Sequence, residues 1–411
     1  MERNRELGSL ADLIFGAVGG VVTTIEGVHQ AIARRSFGAA ALTAPVRAPT
    51  LVAQTAHDGI SGSVYAIVRG VSSVAAPIAR LGVELVPALP ESPGTAVARA
   101  ALNGFAGDLL EEKGSALRVE MALRKDGRAV PPEPGALARE WPDATGKIAV
   151  FLHGLCETEY TWRLGAERYY PEPEVTHGAR LREDLGFTPL WLRYNSGLHI
   201  SENSQRLSAL LTRLVRAWPV PIEEIALVGH SMGGLVARGA CHYGSEAGAS
   251  WIGRVRNVFY LGSPHDGAPL EKVANVVGWA LSAFDETRPF AELWNGRSVG
   301  IKDLRFGYLL DEDWENRDPD ALLEDRRHAA PLLGTSAHHF ITATVTRDRR
   351  HPVGQVMGDL FVRFPSASGQ ADRRIRFDLA EVRHFGGLNH FELLNHPAVY
   401  ERIREALGGA S

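Results

Sequence analysis

Ser231 stands in Gly229-His230-Ser231-Met232-Gly233, a G-x-S-x-G pattern. A serine hydroxyl so placed can attack a carbonyl carbon if three conditions hold. A sharp turn must lift its oxygen clear of the backbone, a base must take its proton, and N–H groups must hold the oxyanion that forms. The five residues alone are a weak signal: the 411-residue chain has 43 glycines, and Gly296-Arg297-Ser298-Val299-Gly300 matches too. Context separates the two. Ile225-Ala226-Leu227-Val228 reads as a buried strand before Ser231, and Gly234-Leu235-Val236-Ala237-Arg238 opens a helix after it. Ser298 has no such frame and reads as a loop serine. Ser231 is the candidate nucleophile.

One oxyanion donor should be the backbone N–H of the residue after the nucleophile, Met232. The other should come from the loop after the earlier buried strand Lys147–Leu152, which reads His153-Gly154-Leu155-Cys156. Gly154 lets the chain turn sharply there, which makes the Leu155 N–H the second candidate and that of Cys156 the alternate. Fifteen histidines compete for the base. His390, in Gly386-Gly387-Leu388-Asn389-His390-Phe391-Glu392, follows the last expected strand and precedes the last helix, and the glycines allow a loop that presents its ring. His384 falls at a strand end, His396 opens the final helix, and His265 reads as structural or substrate-lining. The acid that orients the base should follow the strand His339–Val345, where both Asp348 and Asp359 qualify. No residues have metal-ligand spacing and no phosphate-binding glycine pattern follows a strand, so neither metal nor cofactor is expected.

The elements needed to position these residues are legible from Ser115 onward. Leu117, Val119, Met121 and Leu123 alternate as a half-buried strand would, and Asp126-Gly127 marks a turn. Pro131–Pro142 reads as a loop. Strands are expected at Lys147–Leu152, Thr188–Tyr194, Ile225–Val228, Val255–Leu261, His339–Val345 and Arg374–Val382. Helices are expected at Ser201–Ala217, Ser231–Tyr243 and His396–Leu407. Strands alternating with helices imply a mainly parallel sheet covered on both faces. Between Ser263 and Ser336 no strand is expected. Val273, Val276, Val277, Ala280, Leu281 and Phe284 form an apolar stripe there, so residues of about 265–336 read as a cap or lid inserted in the domain.

Residues 1–114 differ, being rich in Ala, Gly and Val. Val18–Ile32 and Val64–Ile78 show helical spacing, and a third helix is expected over Thr95–Glu112. The expected division is a helical region of 1–114 and a domain of 115–411. The helices either pack on that domain or form a membrane- or lipid-granule-binding surface. The longest N-terminal stretch without charge, Leu13–Ile25, is shorter than a membrane span of about 20 residues. With no secretory pattern read at the N-terminus, a cytoplasmic protein is the expectation, peripheral to a membrane or lipid surface if its helices bind one. A net charge of −4, with no run of Lys or Arg, speaks against a general grip on nucleic acid. Two cysteines, Cys156 and Cys241, exclude a disulfide framework.

With these residues in view, Ile148–Leu407 resembles the α/β-hydrolase superfamily, in particular its lipases and esterases. Gly229–Arg238 is similar to the elbow of triacylglycerol lipases and of hydrolases related to the GPI inositol-deacylase, and Phe151–Leu155 to their oxyanion loop. Gly358-Asp359 resembles their acid loop, which favours Asp359 over Asp348, although Leu360 stands where a glycine is usual. Asn389-His390-Phe391 resembles their histidine loop. The resemblance implies hydrolysis of a small-molecule or lipid ester by Ser231, His390 and Asp359 through an acyl-enzyme, without a cofactor. An acyltransferase, thioesterase or polyester depolymerase would use the same residues. A lipid-granule or membrane-associated protein acting through its N-terminal helices is the reading from another class.

Overall fold

The computed structural model describes residues 91–172, 174–268, 271–272, 296–322, 324–369 and 380–409. The expected helices Val18–Ile32 and Val64–Ile78 and the stripe Val273–Phe284 lie outside them.

An apolar run without alternation needs cover on both faces. Lys147–Leu152 is such a run, and it forms β3, flanked on both sides by parallel strands. Its side chains divide between two cores. Ile148, Val150 and Leu152 point into one with Leu207, Leu211, Leu235 and Val236. Ala149 and Phe151 point into the other with Leu181, Phe187, Tyr400 and Ile403. The sheet has eight strands in the order β2-β1-β4-β3-β5-β6-β7-β8. They are β1 (Ala122–Lys125), β2 (Arg128–Val130), β3, β4 (Thr188–Arg193), β5 (Glu224–His230), β6 (Val255–Leu261), β7 (Ala337–Thr344) and β8 (Ala380–Gly386). β4 through β8 in this order run parallel, and the hairpin β1–β2 adds two antiparallel strands at one edge. The expected mainly parallel sheet flanked by helices is the architecture found.

Helices Ile200–Ala217 and Met232–Glu246 cover the first core, with Leu207, Leu210, Leu211 and Leu214 of the former turned inward. His177–Leu185 and Pro397–Gly408 cover the second. We label the helices used below α1 (Pro93–Glu112) and α2 (Met232–Glu246). The sequence of strands moves from β3 outward to β4 and then returns past β3 to β5. The crevice at the carboxyl ends of β3 and β5 is therefore a topological switch point, where open α/β sheets bind ligands.

Three local expectations need correction. Leu117–Met121 is not a strand. Asn103 of α1 takes its backbone groups, donating to Leu117 O at 2.8 Å and accepting from Val119 N–H at 2.9 Å, so the paired strand starts only at Ala122. The loop Pro131–Pro142 contains a helix, Pro134–Glu140, which the proline starts because its fixed φ suits a first turn. The last strand, expected to stop at Val382, runs on to Gly386: Ala380–Gly386 pairs along β7 from His338↔Ala380 to Thr344↔Gly386.

α1 begins with Ser92 as cap, its hydroxyl accepting from Thr95 N–H, and Pro93 in the first turn. Its inner face is made of small residues, among them Ala100, Ala101, Gly104 and Gly107. They let the helix lie directly on the domain's loops: a Cβ on Gly104 would come within 2.3 Å of Cys156 Sγ, and one on Gly107 within 1.9 Å of Asn195 Oδ1. Further along, Ser298 N–H donates to Phe105 O at 2.8 Å and Ser298 Oγ to Gly104 O at 2.6 Å. The described part of the N-terminal region thus packs on the sheet domain.

Candidate active site

β5 ends at His230, and Ser231 follows in an unusual backbone state, φ 52° and ψ −124°, before α2 begins at Met232. A residue with a side chain rarely adopts a positive φ, and it persists only where surrounding contacts enforce it. Here they do. Ser231 N–H donates to Leu261 O at the end of β6 at 2.8 Å. α2 lies so close to β3 that a Cβ on Gly233 would sit 2.4 Å from Leu152 O. The small residues of the motif are thus what allow strand, turn and helix to meet.

His390 opens a short turn of helix, His390–Leu394, whose cap Asn389 accepts from Phe391 N–H and Glu392 N–H. Asp359 is fully buried on the loop after β7. Two bonds join these loops: His390 Nδ1 to Asp359 Oδ2 at 2.7 Å, and His390 N–H to Asp359 O at 2.9 Å. Asp359 Oδ1 is itself fixed by Phe361 N–H at 3.0 Å and Val362 N–H at 2.8 Å. A carboxylate that accepts fixes the proton on Nδ1 and leaves the Nε2 lone pair for a substrate-side proton. Burial alone would lower the His390 pKa. The Asp359 charge and hydrogen bond outweigh it, and the ring ends above the ordinary histidine value.

The elbow and this pair are neighbours. Gly262 directly follows Leu261, at φ 62°, and a Cβ on it would lie 3.0 Å from His390 Nδ1 and 3.1 Å from Asp359 Oδ2. The rings of His230 and His390 stand 4.6 Å apart. Among the described residues, the hydrogen bond of the His390 ring is the one to Asp359.

The loop after β3 faces the same crevice: a Cβ on Gly154 would lie 3.0 Å from Ser231 Cβ. The Cys156 N–H is already committed to Ser196 Oγ at 3.0 Å, whereas Leu155 N–H has no partner among the described backbone bonds. Met232 N–H belongs to the first turn of α2, where such groups lack helical acceptors. His153 is buried beneath, stacked on Tyr194 with centroids 4.3 Å apart. Its Nε2 accepts from Tyr194 N–H, so Nδ1 donates to Gly154 O, and burial holds its pKa down.

The other residues singled out from sequence lie elsewhere. Asp348 is exposed, and its carboxylate accepts from Arg350 N–H in its own turn. His384 lies within β8 beside the Thr342 and Thr344 hydroxyls. His396 caps the last helix, and His265 is buried against Arg238, Tyr260 and Phe340. Ser298 caps the short helix Val299–Asp303. Sequence reasoning passed over Gly262, Leu360 as a strained residue, and Glu157. The one available signal for Glu157 was a pair of acids, Glu157 and Glu159, set directly after an apolar strand and its glycine turn.

Sheet order, elbow and crevice together define an α/β-hydrolase domain, the fold that lipases and esterases share. Residues 144–327 match the family described as the PGAP1-like alpha/beta domain. That span is under half of the chain; it holds Leu155, Ser231 and Met232 and ends before Asp359 and His390. Solved structures it is similar to include the mature Bacillus licheniformis lipase BlEst2, at 15% identity and TM-score 0.40, over 64% of this chain and 91% of that one. The Pyrococcus furiosus esterase Pf2001 matches at 15% identity and TM-score 0.35, over 64% and 82%. A lipase-esterase related protein from Clostridium acetobutylicum matches at 14% identity and TM-score 0.33, over 63% and 94%. No curated protein matches the chain.

Proposed function

We infer that the protein hydrolyses carboxylic esters through an acyl-enzyme formed on Ser231. The observation that carries this reading is the buried His390–Asp359 pair, 2.7 Å apart, set against the Ser231 elbow at the switch point of the sheet. His390 Nε2 takes the Ser231 proton as Oγ bonds to the ester carbonyl carbon. The Leu155 and Met232 N–H groups receive the carbonyl oxygen as it becomes an anion. As the tetrahedral adduct collapses, the bond to the alcohol oxygen breaks and His390 returns its proton to that oxygen. Water then repeats the sequence on the acyl-enzyme, releasing the acid and restoring Ser231. Asp359 keeps the ring in the required tautomer throughout and supports its transient positive charge.

A small-molecule or lipid ester is the substrate class that suits this chemistry. Phe361 and Phe391 cluster beside His390, at ring separations of 5.2 and 5.8 Å from it and 5.7 Å from each other, an apolar flank for the acyl or alcohol part. Contact with a lipid surface through the N-terminal helices remains a proposal on residues outside those described. Among the described residues, no helix is long and apolar enough to cross a membrane.

The test is a p-nitrophenyl ester series of increasing acyl length on wild type and Ser231→Ala, with fluorophosphonate labelling of both. Wild type is expected to turn over and to label. Loss of the nucleophile should cost on the order of 10⁶-fold in kcat and abolish labelling. Unchanged turnover in Ser231→Ala would overturn the reading.

A further inference from the structure

A carboxylate lies behind the candidate oxyanion loop and takes no part in the chemistry above. Glu157 is three residues beyond Gly154, and its side chain is 10% exposed. One oxygen, Oε2, accepts from Gly154 N–H at 2.7 Å and faces His230 Nδ1 at 3.0 Å. The His230 ring is fully buried, and its Nε2 lies 3.3 Å from the carbonyl oxygen of His390. A line of contacts therefore joins three loops: the one after β3 through Gly154, the elbow after β5 through His230, and the one after β8 through His390.

The geometry points to Glu157 as a positioning residue that holds the oxyanion loop in register with the nucleophile elbow and the histidine loop, by way of His230. This rests on Ser231, His390 and the Leu155 N–H acting as described above. Gly154 precedes the Leu155 donor, so the bond from Glu157 fixes the peptide next to the oxyanion site. Donors act well only when already aimed at the place where charge develops.

The contact pattern fits a clamp. His230 Nδ1 faces a carboxylate and Nε2 faces a carbonyl, and both of these oxygens can only accept. Burial alone would raise the Glu157 carboxyl; the facing His230 ring and the Gly154 N–H outweigh it and hold the group below the ordinary carboxylate range. The other groups around it are His153 under the loop, the Tyr194 hydroxyl on the strand side and the Cys156 thiol. Around His390 the facing groups are Asp359, Glu157 and His230, and the Glu157 charge adds to that of Asp359 in favouring the protonated ring.

The experiment compares kcat, KM and the pH profile of kcat/KM for wild type, Glu157→Gln, Glu157→Asp and Ser231→Ala on one p-nitrophenyl ester. Folding is checked by circular dichroism. Glu157→Gln keeps the size and removes the charge. It is expected to lower kcat on the order of 10- to 100-fold with KM little changed, as a small misplacement of reacting groups does. Its acidic limb should move to lower pH, because a charge that favoured protonated His390 is gone. Glu157→Asp keeps the charge on a shorter arm, so it should lose kcat with the acidic limb near its wild-type position. A folded Glu157→Gln with wild-type kcat and an unmoved limb would overturn the inference. So would losses that only track the folded fraction. If Glu157→Gln folds poorly, His230→Asn carries the test. It keeps a donor for Glu157, cuts the link to His390, and should lower kcat several-fold with the limb unmoved; wild-type kcat there overturns the clamp. Full activity in Ser231→Ala would instead sink the underlying reading, whatever Glu157 does.

Discussion

A serine hydroxyl becomes a nucleophile only when a neighbouring base takes its proton; in the proposed mechanism that base is His390, whose ring is held from behind. Asp359 Oδ2 meets the ring at Nδ1, and Asp359 O accepts from the His390 backbone N–H. Asp359→Asn would present an amide where the ring needs an acceptor, and should cost on the order of 10⁴-fold in kcat. Asp348→Asn, on an exposed turn, should stay near wild type; measured kcat values in the reverse order would move the acid to Asp348. The pH dependence has a defined sign. As the proposed base, His390 would act only when neutral, and its folded pKa is raised above the ordinary histidine value of 6.5. Activity should therefore rise with pH through a midpoint above 6.5. The same raised value means that the stability His390 contributes is present at low pH and fades as pH climbs through that midpoint. A kcat/KM profile with its acidic midpoint below 6.5 would contradict this. Ser298→Ala should leave turnover intact, yet lose about 1 kcal/mol of stability with its helix cap, read as a lower Tm.

At the scale of elements, the acid loop carries a visible departure. Leu360 has φ 94°, a state that suits glycine, at the position where the resembling families keep one. A side chain in the left-handed region costs about 1–2 kcal/mol, and glycine gives back part of that in unfolded-chain entropy. Leu360→Gly should therefore be neutral or stabilising by up to about 1 kcal/mol, measured by denaturant unfolding, rather than harmful as a loss of an apolar side chain would suggest. Such elements also show what could be read in advance. β3 and β5 were legible because burial on both faces demands an unbroken apolar run, and the turn at Asp126-Gly127 because both residues adopt positive φ. Ser231 and the His390 loop were legible for the same local reason. What escaped depends on distant partners. Leu117–Met121 has a strand's alternation, but Asn103, on a separate helix, takes its backbone groups. β8 lies at the sheet edge and carries Glu381, Arg383 and His384, so no apolar run marks where it ends. Gly262 matters through the distant His390 and Asp359, and Glu157 by tying Gly154 of its own loop to the distant His230.

For the whole molecule, the placement of α1 changes where the chain can be divided. Composition suggests a boundary near residue 115, but α1 runs to Glu112 and is fitted to the loops around the crevice. A chain starting at residue 115 would bare Cys156, Asn195 and the Ser298 turn together. It should be strongly destabilised and poorly active, whereas one starting at residue 90 should keep ester hydrolysis. Thermal melts and turnover of the two chains decide the matter; equal behaviour would mean that α1 is dispensable. Lipid or granule association is best tested with the longer of these chains, since the shorter confounds targeting with folding.

The contact between α1 and Cys156 also gives the molecule a built-in chemical reporter. The Cys156 sulfur is tucked under Gly104, and burial pushes its thiol up to about 12, far from the reactive thiolate. Cys241, on the buried face of α2, is likewise pushed up to about 12. Alkylation needs the thiolate and access to solvent. The first thiol can therefore react when α1 lifts locally, the second only when the domain itself comes apart. The ratio of the two alkylation rates would measure how often the helix leaves the loop that lies against the candidate nucleophile, without any mutation and without a substrate.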